Sequence, residues 1–532
     1  MATTQTSADV VIVGAGIVGS LMAEKIAQQG LSVLILESGP NIDRNHVVAK
    51  FRHGVDKGDY MAPYPYNDWA PEPRKFNDYF QNEGPVPYSA SYIRGVGGTT
   101  WHWAGMAWRY VPNDFKLKTL YGVGRDWPFS YDDLEPFYYE AEVKMGVSGP
   151  EDNGSPRSKP FPMPELAPSW ALSRVRDRLE GIGYKVIGNT AARNSQNYDG
   201  RPACVGNNNC MPVCPVDAQY HGGISAQSAK QAGVNIITEA IVYKIEHAKN
   251  SDKIEAIHYY TPNKDSFRVT GKTFVLAANA IETPKLMLMS KSDRFPNGIG
   301  NSNDMVGRHL CDHPRAKVSF EVDEPIWPGR GPMSEYSIQS ERDGEWRSES
   351  AAFRIDFSNT NPVRGITDKL IKQGVYGEEL EQQIRHKSAH SMGMKNIVEQ
   401  LPDPNNRVML GDRLDTLGIP NPKFYYSVSD YTRRGNARAR EIFTTIAKRL
   451  GAKELSFSAE DKFSLANHIT GTLGMGDDRA TTVCNGEGRS HFHDNLFLAG
   501  TGVLPTVATV NSTLTAVAVG LRTAEFIIED LV

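Results

Sequence analysis

The sequence predicts an α/β protein in two parts: a parallel sheet with helices on both faces, and an α+β part built on a mixed or antiparallel sheet. Three observations carry this reading. Residues 8–39, ADVVIVGAGIVGSLMAEKIAQQGLSVLILESG, read as one strand–helix–strand unit. Strand and helix patterns return together in VNIITEAIVYKIE, KTFVLAANAIETPKLMLMS and the C-terminal segment. Between these, residues 320–457 alternate irregularly, as strands of a mixed sheet interrupted by helices do. At 532 residues the chain has room for two domains.

The elements follow in order. An apolar run ends at Val13, a turn holds Gly14, Gly16 and Gly19, a helical pattern runs to Gln29, and a second strand from Val33 to Leu36 ends at Glu37. Residues 51–90 are rich in Pro, Tyr, Asp and Asn with weak periodicity, which predicts a long ordered loop. DDLEPFYYEAEVKMGV has helical spacing, and the proline-rich stretch 150–168 reads as a connection. The chain ends in a strand, a loop and an amphipathic helix, NLFLAGTGVLPTVATVNSTLTAVAVGLRTAEFIIEDLV. There is no internal repeat and no low-complexity tract.

Composition narrows the function classes. With 40% hydrophobic and 23% charged residues the chain is an ordinary globular protein, and a formal net charge of −4 without a basic run argues against nucleic-acid binding. No apolar stretch approaches the length that crosses a bilayer. MATTQTSADVVIVG lacks a charged leader and a hydrophobic signal core, which by itself predicts a cytoplasmic protein.

GAGIVG fits GxGxxG, and its context between strand and helix is what gives it weight. Gly14 permits the tight turn, Gly16 lets the backbone approach a pyrophosphate, and Gly19 lets helix and strand pack closely. The pyrophosphate sits on the helix N-terminus, where unpaired N–H groups and the dipole favour an anion. Glu37, 23 residues after Gly14, is placed to accept hydrogen bonds from the adenosine ribose, and its carboxylate repels a 2′-phosphate. The fingerprint does not separate FAD from NAD.

Three of the five cysteines, Cys204, Cys210 and Cys214, fall in CVGNNNCMPVCP, residues 204–215. Cys311 and Cys484 stand alone, as small buried apolar residues do. A disulfide would strand one thiol of the three, a zinc site calls for four ligands in paired spacing, and a redox pair calls for C-x-x-C. His221 as a fourth ligand has no standard spacing behind it. Three thiolates on a tight loop before a proline suit an iron–sulfur cluster, and three ligands suit 3Fe-4S; purely structural cysteines remain the alternative.

Six segments together resemble the glucose–methanol–choline (GMC) oxidoreductase superfamily, which binds FAD: RGVGGTTWHW (94–103), LAANAIETPKLMLMS (276–290), MVGRHLCDHP (305–314), LPDPNNRVML (401–410), NHITGTLGMG (467–476) and FLAGTGVLPTVATVNSTLT (497–515). YDGRPACVGNNNCMPVCP is similar to the large subunits of bacterial membrane-associated dehydrogenases that oxidise fructose, sorbitol, glucose or 2-ketogluconate. Those relatives often carry a second cysteine directly after the first, where this chain has Val205.

The resemblance implies a Rossmann-like FAD domain from residues 1–130, 200–319 and 458–532, including the cysteine loop, and a substrate domain from 131–199 and 320–457. It implies His468 as catalytic base and Asn511 as its partner, where many relatives have a second histidine. A histidine of pKa about 6.5 suits removal of a hydroxyl proton near neutral pH, and an amide can hold the oxygen. Gly97, Gly98, Thr99, Val242, Gly500 and Thr501 join Gly14, Gly16, Gly19 and Glu37 as expected FAD-binding residues. VGGTTWHW is also similar to the flavin-wrapping segment of pyranose oxidases, whose histidine is bonded to the flavin 8α-methyl. His102 is thus either a covalent attachment point or a histidine packed beside the flavin between Trp101 and Trp103. His309, His313, His491 and His493 are expected to be structural or surface residues.

The implied activity is an FAD-dependent dehydrogenase of a sugar, polyol or sugar acid whose electrons leave through the 3Fe-4S cluster. The implied partners are a membrane-anchored multihaem cytochrome c subunit and a small subunit whose twin-arginine signal carries both across the membrane. That places the mature protein on the periplasmic face of the inner membrane, and revises the cytoplasmic expectation. The alternatives are an oxidase using oxygen, or a non-catalytic subunit that binds FAD and the cluster. No motif in residues 320–457 identifies the substrate.

Overall fold

A computed structural model of the chain describes residues 6–55 and 57–532. The first five residues, on which the N-terminal expectation partly rests, lie outside the described residues.

The strands Ser7–Val13 and Val33–Leu36 are runs of Val, Ile and Leu that are buried on both faces towards their ends, as a sheet sandwiched by helices requires. They pair in parallel with each other. Asn235–Ile237 and the long strand Ser266–Leu276 flank them, also in parallel. Ser266–Leu276 serves two neighbours on its other edge. Its first half pairs antiparallel with Ile254–Tyr260, and its last residues pair in parallel with Leu496–Leu498. Three distant stretches of sequence thereby meet in one seven-stranded sheet. The fingerprint helix, Ile17–Ala27, packs against the C-terminal helix, Thr513–Leu531, within the main hydrophobic core.

The second sheet has six strands, in the order Ser456–Phe457, Lys317–Glu321, Ser391–Val398, Phe353–Phe357, Tyr336–Ile338, Val186–Gly188. The sequence allowed a mixed or antiparallel sheet, and every pairing in it is antiparallel. One face is apolar: Phe353, Ile355, Phe357, Met392 and Met394 pack under the helices Trp170–Leu179 and Asp430–Arg449. Strand alternation therefore turns Arg354, Asp356 and Lys395 to the opposite face, towards the first sheet. A hairpin, Arg407–Leu414 and Pro420–Tyr425, adds the short strand Gln81–Asn82 from the otherwise irregular 51–90 segment. Among the described residues no helix is long and apolar enough to cross a membrane.

Candidate active site

A cavity of ≈ 610 Å³ lies between the two sheets. Its walls include Gly14, Gly16, Glu37, Gly97, Gly98, Thr99, His102, Val242, Gly500 and Thr501, together with His468 and Asn511. Gly19 stands apart. It packs the helix onto the turn, where a Cβ would fall 2.2 Å from the Gly14 carbonyl oxygen.

The fingerprint turn is shaped for an anion. Gly14 has φ +106°, and a Cβ there would lie 2.7 Å from the Ala277 carbonyl. A Cβ on Gly16 would meet nothing within 4 Å, so open space lies over the start of the helix. That helix has no side-chain cap and no acidic residue in its first turn, leaving its N–H groups available to a ligand. The backbone N–H of Gly97 donates to Ala15 O at 2.8 Å and lays the second glycine segment over the first. Glu37 is buried, and its two carboxylate oxygens accept from the N–H groups of Ala15 and Gly39, each at 2.9 Å. Fixed in this way, the carboxylate keeps lone pairs free for ribose hydroxyls. Cavity, bare helix terminus and buried acid together fit an adenine dinucleotide.

At the other end of the cavity His468 and Asn511, 43 residues apart, come together. Asn511 Nδ2 lies 2.7 Å from His468 Nε2. Arg354 donates to Asn511 Oδ1 at 3.2 Å, which turns the amide so that its N–H donates to the imidazole. His468 Nε2 then carries the lone pair, as a base must. Burial holds this imidazole well below the ordinary histidine range, and the nearby His313, Arg315, Arg354 and Lys395 add to that effect. Arg354 forms a bidentate pair with Asp356, at 2.8 and 3.1 Å. His313 packs edge-on to His468 at 5.0 Å between ring centroids, with its Nδ1 2.6 Å from Val398 O. His309, His491 and His493 bond to Arg125, Thr482 and the Gly300 N–H, away from this pair.

His102 lines the cavity, its Nδ1 buried without a hydrogen-bond partner among the described residues. Burial lowers its pKa to about 4, with Arg74 contributing, so it is a neutral imidazole at pH 7. The neighbouring Trp101 stacks on His221 at 3.8 Å, and His221 Nε2 bonds Asp217.

The cysteine loop abuts this corner. Met211, next to Cys210, lines the cavity, while Val205 is 66% exposed, so the loop runs from the cavity wall to the surface. The Tyr64 hydroxyl lies 2.9 Å from Trp101 O and 2.5 Å from Pro212 O, tying the loop to the His102 segment. All five cysteines are free. Cys210 and Cys214 lie close enough to Cys204 to raise its thiol pKa, though burial raises it more. Among the described residues no group of three His, Cys, Asp or Glu side chains is placed to hold a metal ion, the three loop cysteines included.

Models of two GMC oxidoreductase regions match residues 170–315 and 402–520, and a NAD(P)-binding Rossmann-like domain matches residues 12–58. The chain is 46% identical to the fructose dehydrogenase large subunit of Gluconobacter japonicus, over 100% of this chain and 99% of that one. It is 27% identical to paromamine 6'-oxidase of Streptomyces fradiae, over 98% and 92% of the two chains. Among solved structures, pyridoxine 4-oxidase from Mesorbium loti superimposes with a TM-score of 0.68 at 17% identity, covering 97% of this chain and 98% of that one; this likeness is one of fold.

Proposed function

The chain belongs to the GMC oxidoreductase family, an FAD-dependent oxidoreductase acting on CH–OH groups, and from that premise we propose that it oxidises a hydroxyl of a sugar or polyol to a carbonyl with His468 as base. The observation that carries the proposal is the 2.7 Å contact between Asn511 Nδ2 and His468 Nε2 on the cavity wall. A substrate hydroxyl entering here takes the place of that direct bond, donating to Nε2 and accepting from Nδ2. His468 takes the hydroxyl proton, and Asn511, turned by Arg354, holds the oxygen and fixes the carbon that loses hydrogen. FAD, held by Gly16, Glu37, Gly97 and their neighbours, supplies the acceptor for the hydride that leaves that carbon. Proton and hydride together account for the two hydrogens lost. The FAD domain is assigned to residues 1–130, 200–319 and 458–532, and the substrate domain to 131–199 and 320–457.

The same reading makes the protein a dehydrogenase. Cys204, Cys210 and Cys214 would hold a 3Fe-4S cluster between the cavity and the surface, which would supply one-electron chemistry towards a cytochrome c subunit. A small subunit with a twin-arginine signal completes the assembly on the periplasmic face. Similarity to a chain named a large subunit supports an assembly, and a loop running from Met211 to exposed Val205 supports a relay. With sugar present, turnover with ferricyanide is expected to far exceed turnover with oxygen; fast oxygen turnover would favour the oxidase. Iron analysis and EPR of the anaerobically purified protein are expected to show about three irons per chain, lost in Cys210→Ser. Iron-free protein with full ferricyanide activity would remove the cluster. Acid precipitation distinguishes the two readings of His102: flavin in the pellet means a bond to the protein, and flavin in the supernatant means packing.

A further inference from the structure

The face of the antiparallel sheet that closes the substrate end of the cavity includes the charged side chains Arg354, Asp356 and Lys395. Arg354 and Asp356 neutralise each other, and Arg354 also holds Asn511. Arg315, on the same wall, is occupied by Ser464 O at 3.0 Å and Leu465 O at 2.5 Å. Lys395 lines the cavity, and its side chain makes no hydrogen bond or ion pair among the described residues. Its charge nonetheless reaches His468. An ammonium has three N–H donors and no acceptor, so an unpaired lysine in a cavity wall offers donors that a ligand oxygen can take from water.

We propose that Lys395 is a specificity-determining residue: its ammonium donates to a substrate oxygen on the carbon next to the one oxidised, so that the site selects a polyhydroxylated chain over a simple alcohol. This rests on the function proposed above, because it takes the reacting hydroxyl to lie between His468 and Asn511. Lys395 shares the cavity wall with His468 and Asn511 and its charge reaches His468, which puts it in the chamber that receives the second oxygen of a vicinal pair. Asp356 and Lys317, its partners on the adjacent strands, together with Arg354, Arg315 and His468, are the charged and titratable groups around it. Burial, then Arg315, lower its pKa below the ordinary lysine value. The donor is therefore lost as pH rises, and KM for a sugar rises with it.

The test measures anaerobic flavin reduction in the holoenzyme against the concentration of D-fructose, D-sorbitol, D-glucose and 2-keto-D-gluconate, in wild type, Lys395→Met and Lys395→Arg. Lys395→Met is expected to raise the half-saturating concentration of neutral sugars about 10–100-fold, the worth of a hydrogen bond to a charged group, with little change in the rate at saturation. Lys395→Arg is expected to recover most of that affinity and to abolish its alkaline rise. Unchanged half-saturation in Lys395→Met would overturn the assignment. So would a rise confined to 2-keto-D-gluconate, which would mean that Lys395 reads a carboxylate. If Lys395→Met does not fold, Lys395→Arg decides: a pH dependence identical to wild type overturns the proposal. Should no compound reduce wild-type flavin, the functional reading itself fails, and the two failures remain distinct.

Discussion

His468→Ala is expected to slow substrate-driven flavin reduction by about 10²–10⁴-fold, the usual contribution of a positioned general base, while FAD stays bound. The separation follows from where the residue sits. His468 lines the end of the cavity that Asn511 and the second sheet close, whereas the fingerprint helix and Glu37 form the other end. The pH dependence follows from its surroundings. Burial first, then the positive charges of Arg315, Arg354 and Lys395, disfavour the imidazolium. The neutral base is the active form and is lost only as pH falls through this lowered pKa. The acid limb of the wild-type rate therefore lies below pH ~6.5, the ordinary histidine value, and is absent from the residual rate of His468→Ala. Stopped-flow reduction across pH measures both; a full rate in His468→Ala would place the base elsewhere.

Gly14→Ala and Gly16→Ala, two residues apart, are expected to fail in different ways. At Gly14 the new methyl meets backbone on all sides: Ala277 O at 2.7 Å, with Ala277 C and Ala278 Cα at 3.0 Å. It also forces a side chain onto φ +106°. Backbone strain and overpacking each cost about 1–3 kcal/mol, so the protein loses stability even before cofactor is considered. At Gly16 the backbone has φ −72° and the methyl points into open space. Gly16→Ala should fold with an unfolding temperature close to that of wild-type apoprotein, yet hold little FAD, because the methyl occupies the approach of the pyrophosphate. Thermal unfolding and flavin content of the two purified variants check this. A Gly16→Ala protein that retains FAD would mean the open space serves another purpose.

The contrast between these two glycines also shows what the sequence makes legible. A fingerprint is local: its strand, turn and helix lie within about 30 residues, and the reading of residues 8–39 needs little correction beyond a helix that closes at Ala27. His468 and Asn511 are legible only through motifs, since no spacing rule connects two positions that meet by way of the Arg315–Leu465 region and the C-terminal helix. The substrate wall is the part of the site that no motif marks. Residues 320–457 carry no motif that identifies the substrate, yet FRIDF (353–357) is a strand in which all five residues are buried, two of them charged. Charged residues alternating with Phe and Ile within a strand are the signal that a polar chamber lies behind a hydrophobic sheet. The same pattern in MKNIV would have drawn attention to Lys395. His313, expected to be structural, is buried against His468, and its histidine–proline context gave no hint of that neighbour.

The account rests on one chemical claim, that a sugar or polyol reduces the bound flavin directly through His468. Anaerobic mixing of the holoenzyme with D-fructose, D-sorbitol, D-glucose and 2-keto-D-gluconate, without any electron acceptor, tests it most directly. The account predicts that at least one of them bleaches the flavin absorption rapidly in wild type, and that the same compound does so far more slowly in His468→Ala. Flavin that stays oxidised with every compound, in a protein that has its full complement of FAD, would contradict it and leave a flavoprotein that carries electrons without oxidising a sugar itself.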